Sequence, residues 1–239
     1  MHPRERMKNS VRKIGTAIII LGCLCLVAAA AVTLYNMYDD ARAASSMQDE
    51  NRKLEEYVLA PGKAKDPRGN KYADPMDRLA TPAPAEPDQT RSPEDSPEPV
   101  TCDMPVVNID GTDYVAMLGI PSLGLEFAVR SEWSYAGLKN SPCRYMGSAY
   151  TRDLIICAHN YSTHFGRLNE LVPGDEVLLV DMDGVLFTYT VELIEELGRY
   201  DFGPMQESGY DLTLFTCTVG GRKRVTVRLS LVSVTVPKS

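Results

Sequence analysis

Three side chains in the second half of this 239-residue sequence suit acyl-transfer chemistry: Cys217, His159 and Arg224. Gly220-Gly221 divides the apolar-rich runs LTLFTCTV and RKRVTVRLSLV and reads as a two-residue hairpin turn, because glycine accepts the positive φ angles such turns need. That turn sets Val219 opposite Arg222, Thr218 opposite Lys223 and Cys217 opposite Arg224. Strand alternation then puts Leu212, Leu214, Val225, Val227 and Leu229 on the core face, with Cys217, Arg224 and Arg228 on the other. A thiol beside a guanidinium on a non-core face is poorly explained as packing, since an unpaired buried arginine is costly.

His159 closes the run LIICAHN, where a strand gives way to a loop. A free thiol has a pKa near 8.5, so only a few per cent of it is thiolate at neutral pH. A neighbouring imidazole and guanidinium raise that fraction, or supply the proton and the oxyanion contact that acyl transfer requires. The three residues form a self-consistent set, although the residues alone leave a chance coincidence equally open. Arg222 and Arg228 compete for the arginine role; the cross-strand register and the following V-x-V run favour Arg224.

The remaining chemistry-bearing residues have plainer readings. His164 reads as a loop or groove residue, and Cys157, two positions before His159, as a buried apolar cysteine before a second nucleophile. A zinc site of Cys157, His159 and Cys217 lacks a fourth ligand and any ligand spacing, so no metal or other cofactor is expected. Cys102 and Cys143 either pair outside the cell or remain free thiols. Trp133 packs or binds substrate.

The elements that must position these groups are mostly β. Short β-type runs cover Tyr114–Ile120, Leu125–Val129, Leu154–Ala158, Glu176–Val180, Leu186–Leu193, Leu212–Thr218 and Arg224–Val234, with Asp183-Gly184 as a hairpin turn. Short helices are expected at Ser134–Leu138 and Phe165–Leu171. This pattern over residues 105–239 predicts a mostly-β barrel or sandwich.

What precedes it differs sharply. Ile14–Tyr35 is almost wholly apolar, and 22 residues of helix span roughly 33 Å, enough for a hydrocarbon core. Basic residues precede it and Asp39 and Asp40 follow, so the positive-inside bias predicts a cytoplasmic tail (1–13), a signal anchor (14–38) and an extracellular remainder. Residues 39–60 read as a juxtamembrane helix, from the helix formers and charge pairs of Met47–Leu59. Residues 61–104 read as a disordered linker, since nine of the sixteen prolines fall between Pro61 and Pro99. Within it, Tyr72–Met76 has the look of a segment that folds back onto the domain. A net charge of −7 removes the usual electrostatic basis for binding nucleic acid.

From Val115 onward the sequence resembles the sortases, cysteine transpeptidases of Gram-positive cell surfaces. YVAMLGIPSLGLEFAV resembles the family's opening strands with their I-P-x-L-G element. LIICAHNYSTHFGRLNELVPGDEVLL resembles its histidine region, and LTLFTC its T-L-x-T-C nucleophile motif at Thr213, Leu214, Thr216 and Cys217. The resemblance implies an eight-stranded β-barrel with Cys217, His159 and Arg224 in a groove, and Thr216 and Asn160 against substrate. It also implies the partners: secreted proteins carrying an LPxTG-type C-terminal sorting signal, and an acceptor amine on a cell-wall precursor or a pilin. The subclass stays open, because the insert between Leu193 and Leu212 is short, no acidic cluster suggests calcium, and no apolar segment follows Val236. The rival readings are a hydrolytic Cys-His peptidase and a non-catalytic β-barrel binding module on a stalk.

Overall fold

The computed structural model describes residues 3–58 and 103–237, so the proline-rich stretch, Tyr72–Met76 and Cys102 lie outside the described residues. The described chain divides into two units, Met1–Arg42 and Ala43–Ser239.

In the first unit, helix α1 (Pro3–Val58) begins, and its apolar stretch is long and hydrophobic enough to cross a membrane. Ile18, Leu21, Leu26 and Val32 are all exposed there, as side chains meant for an apolar solvent would be.

The second unit takes the last turns of α1 and nine strands: β1 (Val107–Ile109), β2 (Thr112–Ile120), β3 (Leu125–Arg130), β4 (Cys143–Met146), β5 (Leu154–Cys157), β6 (Glu176–Asp181), β7 (Leu186–Gly198), β8 (Leu212–Cys217) and β9 (Lys223–Thr235). They run in the order β1-β2-β3-β4-β5-β8-β9-β7-β6, and β6 pairs back onto β2. Eight strands thus close into a ring, with β1 attached outside it; β3 meets β4 only at Arg130 and Cys143, so the rest of that edge stays open to another partner. The expected mostly-β barrel is the fold.

Alternation fills the interior. Phe127, Leu118, Ile156, Phe187, Leu214 and Val227 are fully buried in one apolar cluster. The β6–β7 hairpin turns at Asp183-Gly184 as expected, with Gly184 at φ 81°. Its turn is braced from beneath: buried Asp181 accepts the backbone N–H of Asp183 and of Val185, both at 2.9 Å, and the hydroxyl of Tyr150. Burial raises the Asp181 pKa against the lowering effect of the Tyr150 bond.

Three features depart from expectation. β1 and β4 were not foreseen, and β7 runs five residues past its expected end at Leu193, pairing with β9 as far as Gly198 and Lys223. The expected juxtamembrane helix is the C-terminal part of α1, and it belongs to the compact unit rather than standing apart. Ala43, Met47, Glu50 and Leu54 fall at helical spacing and are all buried. Asn51 completes the open edge of β3: its side-chain amide donates to Glu126 O and accepts from Ala128 N–H, each at 2.7 Å, as a neighbouring strand would. Glu50 takes a two-pronged bond from Arg130 beside it.

Candidate active site

One ladder brings two of the sequence-predicted residues together, and a second runs toward the third. On one side of β8, the antiparallel ladder with β9 pairs Cys217 with Arg224, Phe215 with Thr226 and Thr213 with Arg228. The faces follow as expected: Leu212, Leu214, Val227 and Leu229 are buried in the core, and Cys217 and Arg224 are half-exposed on the other side. The register is the predicted one although the turn is not. Gly221 N–H bonds Thr218 O at 2.8 Å, so the tight turn spans Thr218–Gly221, one residue earlier than expected. Thr218 Oγ1 then accepts the Lys223 N–H at 3.1 Å, which closes the loop and keeps the downstream pairing unchanged.

On the other side of β8, the parallel ladder with β5 pairs Leu154 with Leu212 and Cys157 with Phe215. Two bonds extend it: Ala158 N–H to Phe215 O at 3.3 Å, and Thr216 Oγ1–H to Ala158 O at 2.8 Å. Continued by one residue beyond these bonds, the same offset would set His159 level with Cys217. Thr216, buried on the core side, thus ties the residue before the thiol to the residue before the imidazole.

His159 is held from beyond as well. Its carbonyl accepts the Phe165 N–H at 3.1 Å, and its ring leans on Tyr161 with centroids 5.1 Å apart. The loop folds tightly here because Gly166 lies against the Asn160 and Tyr161 carbonyls; a Cβ at that position would come within 2.6 Å of both. Asn160 is exposed at the loop's start, and His164 is fully buried edge-on to Tyr161, away from the solvent a proton-transfer role needs.

The other two arginines have different surroundings. Arg222 is exposed in the hairpin loop. Arg228 is buried and engaged with Glu195, Thr213 and two main-chain carbonyls, a burial that alternation alone did not foresee.

Cys157 and Cys143 are paired neighbours on β5 and β4. Burial pushes the Cys157 thiol far above its ordinary range, with the Cys143 and Cys217 charges adding and Arg224 opposing. Burial likewise pushes Cys143 up to about 11. At pH 8 a thiol with that pKa is thiolate to about one part in a thousand. Iodoacetamide is therefore expected to alkylate Cys217 in the folded protein while Cys143 and Cys157 react only after denaturation. Peptide mass spectrometry reads this directly, and rapid labelling of Cys157 in the native state would contradict it. Among the described residues no group of three or more His, Cys, Asp or Glu is gathered to hold a metal ion.

The sequence did not reveal the aromatic ridge beside the thiol. Tyr145 meets Phe215, two positions from Cys217, edge-on at 5.5 Å, and Trp133 lies against Tyr145 at 6.1 Å. Trp133 and Tyr145 also line a cavity of about 660 Å³, with Arg144 and Glu132; neither Cys217, His159 nor Arg224 reaches it. The signal was faint, because Tyr145 belongs to a four-residue strand with no periodicity to read.

Comparison with known proteins gives one family: residues 118–232 match the sortase domain. Among solved structures, the chain is similar to sortase E from Streptomyces avermitilis, at 26% identity over 51% of this chain and 90% of that one, TM-score 0.45. It is similar to sortase C1 from Streptococcus agalactiae, at 25% identity over 55% and 72%, TM-score 0.46. It is also similar to Streptococcus pneumoniae sortase C, at 24% identity over 52% and 72%, TM-score 0.46. No curated protein matches.

Proposed function

Residues 118–232 are a sortase domain, and on that premise we propose that this chain is a membrane-anchored cysteine transpeptidase that cuts an LPxTG-type sorting signal and joins the new carboxyl end to an amine. The observation that carries the reading is the cross-strand pairing of Cys217 with Arg224; the β5–β8 ladder, which ends at Cys157 and Phe215, supports His159 as the third member.

The chemistry follows from those neighbours. Cys217 Sγ, as thiolate, adds to the carbonyl carbon of the scissile peptide bond. Arg224 donates to the oxygen that gains charge. The C–N bond breaks, the leaving amine takes its proton from the His159 imidazolium, and a thioester remains. An incoming amine then adds to that thioester, gives a proton to His159, and the C–S bond breaks to restore the thiolate. Thr216 holds β5 and β8 at one spacing throughout, and Asn160 stands at the open end of the loop, within reach of the peptide. The apolar part of α1 supports membrane anchoring with the catalytic domain outside the cell.

Incubation of the protein with a library of LPxTG-type peptides and a primary amine tests the reading. The expected products are a thioester at Cys217, seen as a mass increase on the intact chain, and an amide between the trimmed peptide and the amine. Hydrolysis with no amide formed, at saturating amine, would favour the peptidase reading; no adduct with any peptide would favour the binding module.

A further inference from the structure

His159 lies two residues past the last ladder pair of β5, Cys157 with Phe215, and is half-buried at the start of a loop. An imidazole that gives a proton to the leaving amine and takes one from the incoming amine must return to one place each time. A loop side chain left to itself samples several rotamers, so something beyond the ladder has to hold the ring. Three main-chain bonds fold the loop back on itself. His159 O accepts the Phe165 N–H at 3.1 Å, and Tyr161 O accepts both the His164 N–H at 3.0 Å and the Gly166 N–H at 2.9 Å. The Tyr161 main chain is thereby tied to the start of the 3₁₀ helix Phe165–Glu170, whose Phe165 and Leu168 are fully buried in the core cluster.

On this frame three rings stand in a row. The His159 and Tyr161 ring centroids are 5.1 Å apart with the planes at 47°, and those of Tyr161 and His164 are 5.3 Å apart at 75°. Both separations fall in the roughly 4.5–7 Å range of attractive aromatic pairs, and the second has the edge-to-face geometry that ring quadrupoles favour. Burial falls off along the row in the order a brace requires. His164 is 0% exposed, whereas Tyr161 and His159 are half-buried. Tyr161 is therefore fixed through its main chain and from its inner side, and its ring offers the imidazole a surface that does not move.

We propose that Tyr161 is a positioning residue, whose ring sets the orientation of the His159 imidazole, and that His164 is the buried brace that fixes that ring. The inference rests on the proposed transpeptidase reading, in which His159 moves the proton, and deepens it. Neither residue exchanges a proton with substrate; Tyr161 acts through His159, and His164 acts through Tyr161. The contact is made by the ring and not by the hydroxyl, so phenylalanine serves equally well at position 161.

The test uses the full chain in detergent micelles, with Tyr161→Phe, Tyr161→Leu, His164→Phe and His164→Leu. Acyl transfer from an LPxTG-type peptide to a primary amine is followed with kcat and KM separated. Histidine ring signals are recorded by NMR without substrate; the chain has three histidines, so His159→Asn assigns the one that matters. Tyr161→Leu is expected to lower kcat about thirtyfold with KM within about twofold, because misplacing a reacting group by about 1 Å costs up to about 10². Its His159 signal is expected to lose the ring-current shift that Tyr161 imposes. Tyr161→Phe is expected to keep that shift and to keep kcat within about twofold. His164→Phe is expected to behave like Tyr161→Phe, and His164→Leu to fall between the two position-161 variants. Unchanged kcat in Tyr161→Leu would overturn the proposal, as would a raised KM with kcat unaltered or equal losses in Tyr161→Leu and Tyr161→Phe. An unmoved His159 signal in Tyr161→Leu would overturn it too, even if both His164 variants fail to fold. Should Tyr161→Leu itself not fold, His164→Leu carries the same two readouts. Full activity in His159→Asn, or no thioester from the unaltered chain with any peptide, would instead remove the transpeptidase reading. The NMR shift needs no peptide and still shows whether the Tyr161 ring holds the imidazole, so the two failures are distinguishable.

Discussion

Arg224→Ala is expected to lower kcat/KM for acyl transfer by about 10² to 10³, the usual consequence of losing one donor to a developing oxyanion. Cys217→Ala is expected to abolish the thioester and reduce turnover by at least about 10⁴, because no other group supplies the bond-forming atom. Neither change should unfold the protein. Both side chains are half-exposed on the outward face, and the core partners Leu214 and Val227 are untouched. The contrast with Arg222→Ala sharpens the expectation: Arg222 sits exposed in the hairpin loop and should be replaceable with activity within about twofold. Parallel kinetics and thermal melts on the three variants decide it. Full activity in Arg224→Ala, with Arg222→Ala inactive, would show that the guanidinium acting at the thiol comes from the loop.

That this experiment can be specified from residue types at all reflects how strongly a hairpin constrains its side chains. Once Cys217 faces Arg224, period-two alternation leaves no freedom in which residues share the face. The expected turn was one residue out and the register still held, because Thr218 N–H donates to Lys223 O at 3.0 Å and Thr218 Oγ1 takes the Lys223 N–H in place of the main-chain oxygen. His159 was legible as the end of the run LIICAHN and through the motif around it, whereas the parallel pairing of LIIC with LTLF joins runs 58 residues apart and left no local trace.

Other features were hidden for physical reasons. β4 pairs over only four residues with a register shift after Arg144, so Cys143 and Tyr145 carried no alternation to read. Arg228 is on the non-core face that alternation predicts, but its burial there depends on α2 (Phe202–Gln206), a five-residue helix with glycine and proline inside it. Its partners come from β7, β8 and α2, three places that no local pattern connects.

The helix that precedes the domain leads to the second large expectation. A chain beginning at Asp103 should melt at least about 10 °C below one beginning at Ala43, or fail to stay soluble. The physical reasons are separable. Leu54 is fully buried and Met47 nearly so, and exposing each costs roughly 1.5–3 kcal/mol. Removing Glu50 strands Arg130, whose side chain is only 19% exposed, and breaking such a pair from one side costs about 3 kcal/mol. Losing Asn51 leaves Glu126 O and Ala128 N–H without the amide that completes the edge of β3. Any two of these take a large share of a typical domain's 5–15 kcal/mol margin, and for about 200 residues each kcal/mol moves the midpoint by roughly 2–4 °C. Glu50→Ala in the full chain isolates the ion pair and should cost about 3 kcal/mol by itself. Equal melting of the two truncated chains, together with a neutral Glu50→Ala, would mean that the end of α1 merely rests on β3. A large loss in both makes residues 43–58 a structural part of the catalytic unit, so the start of the β pattern near residue 105 marks the first strands rather than the edge of the fold.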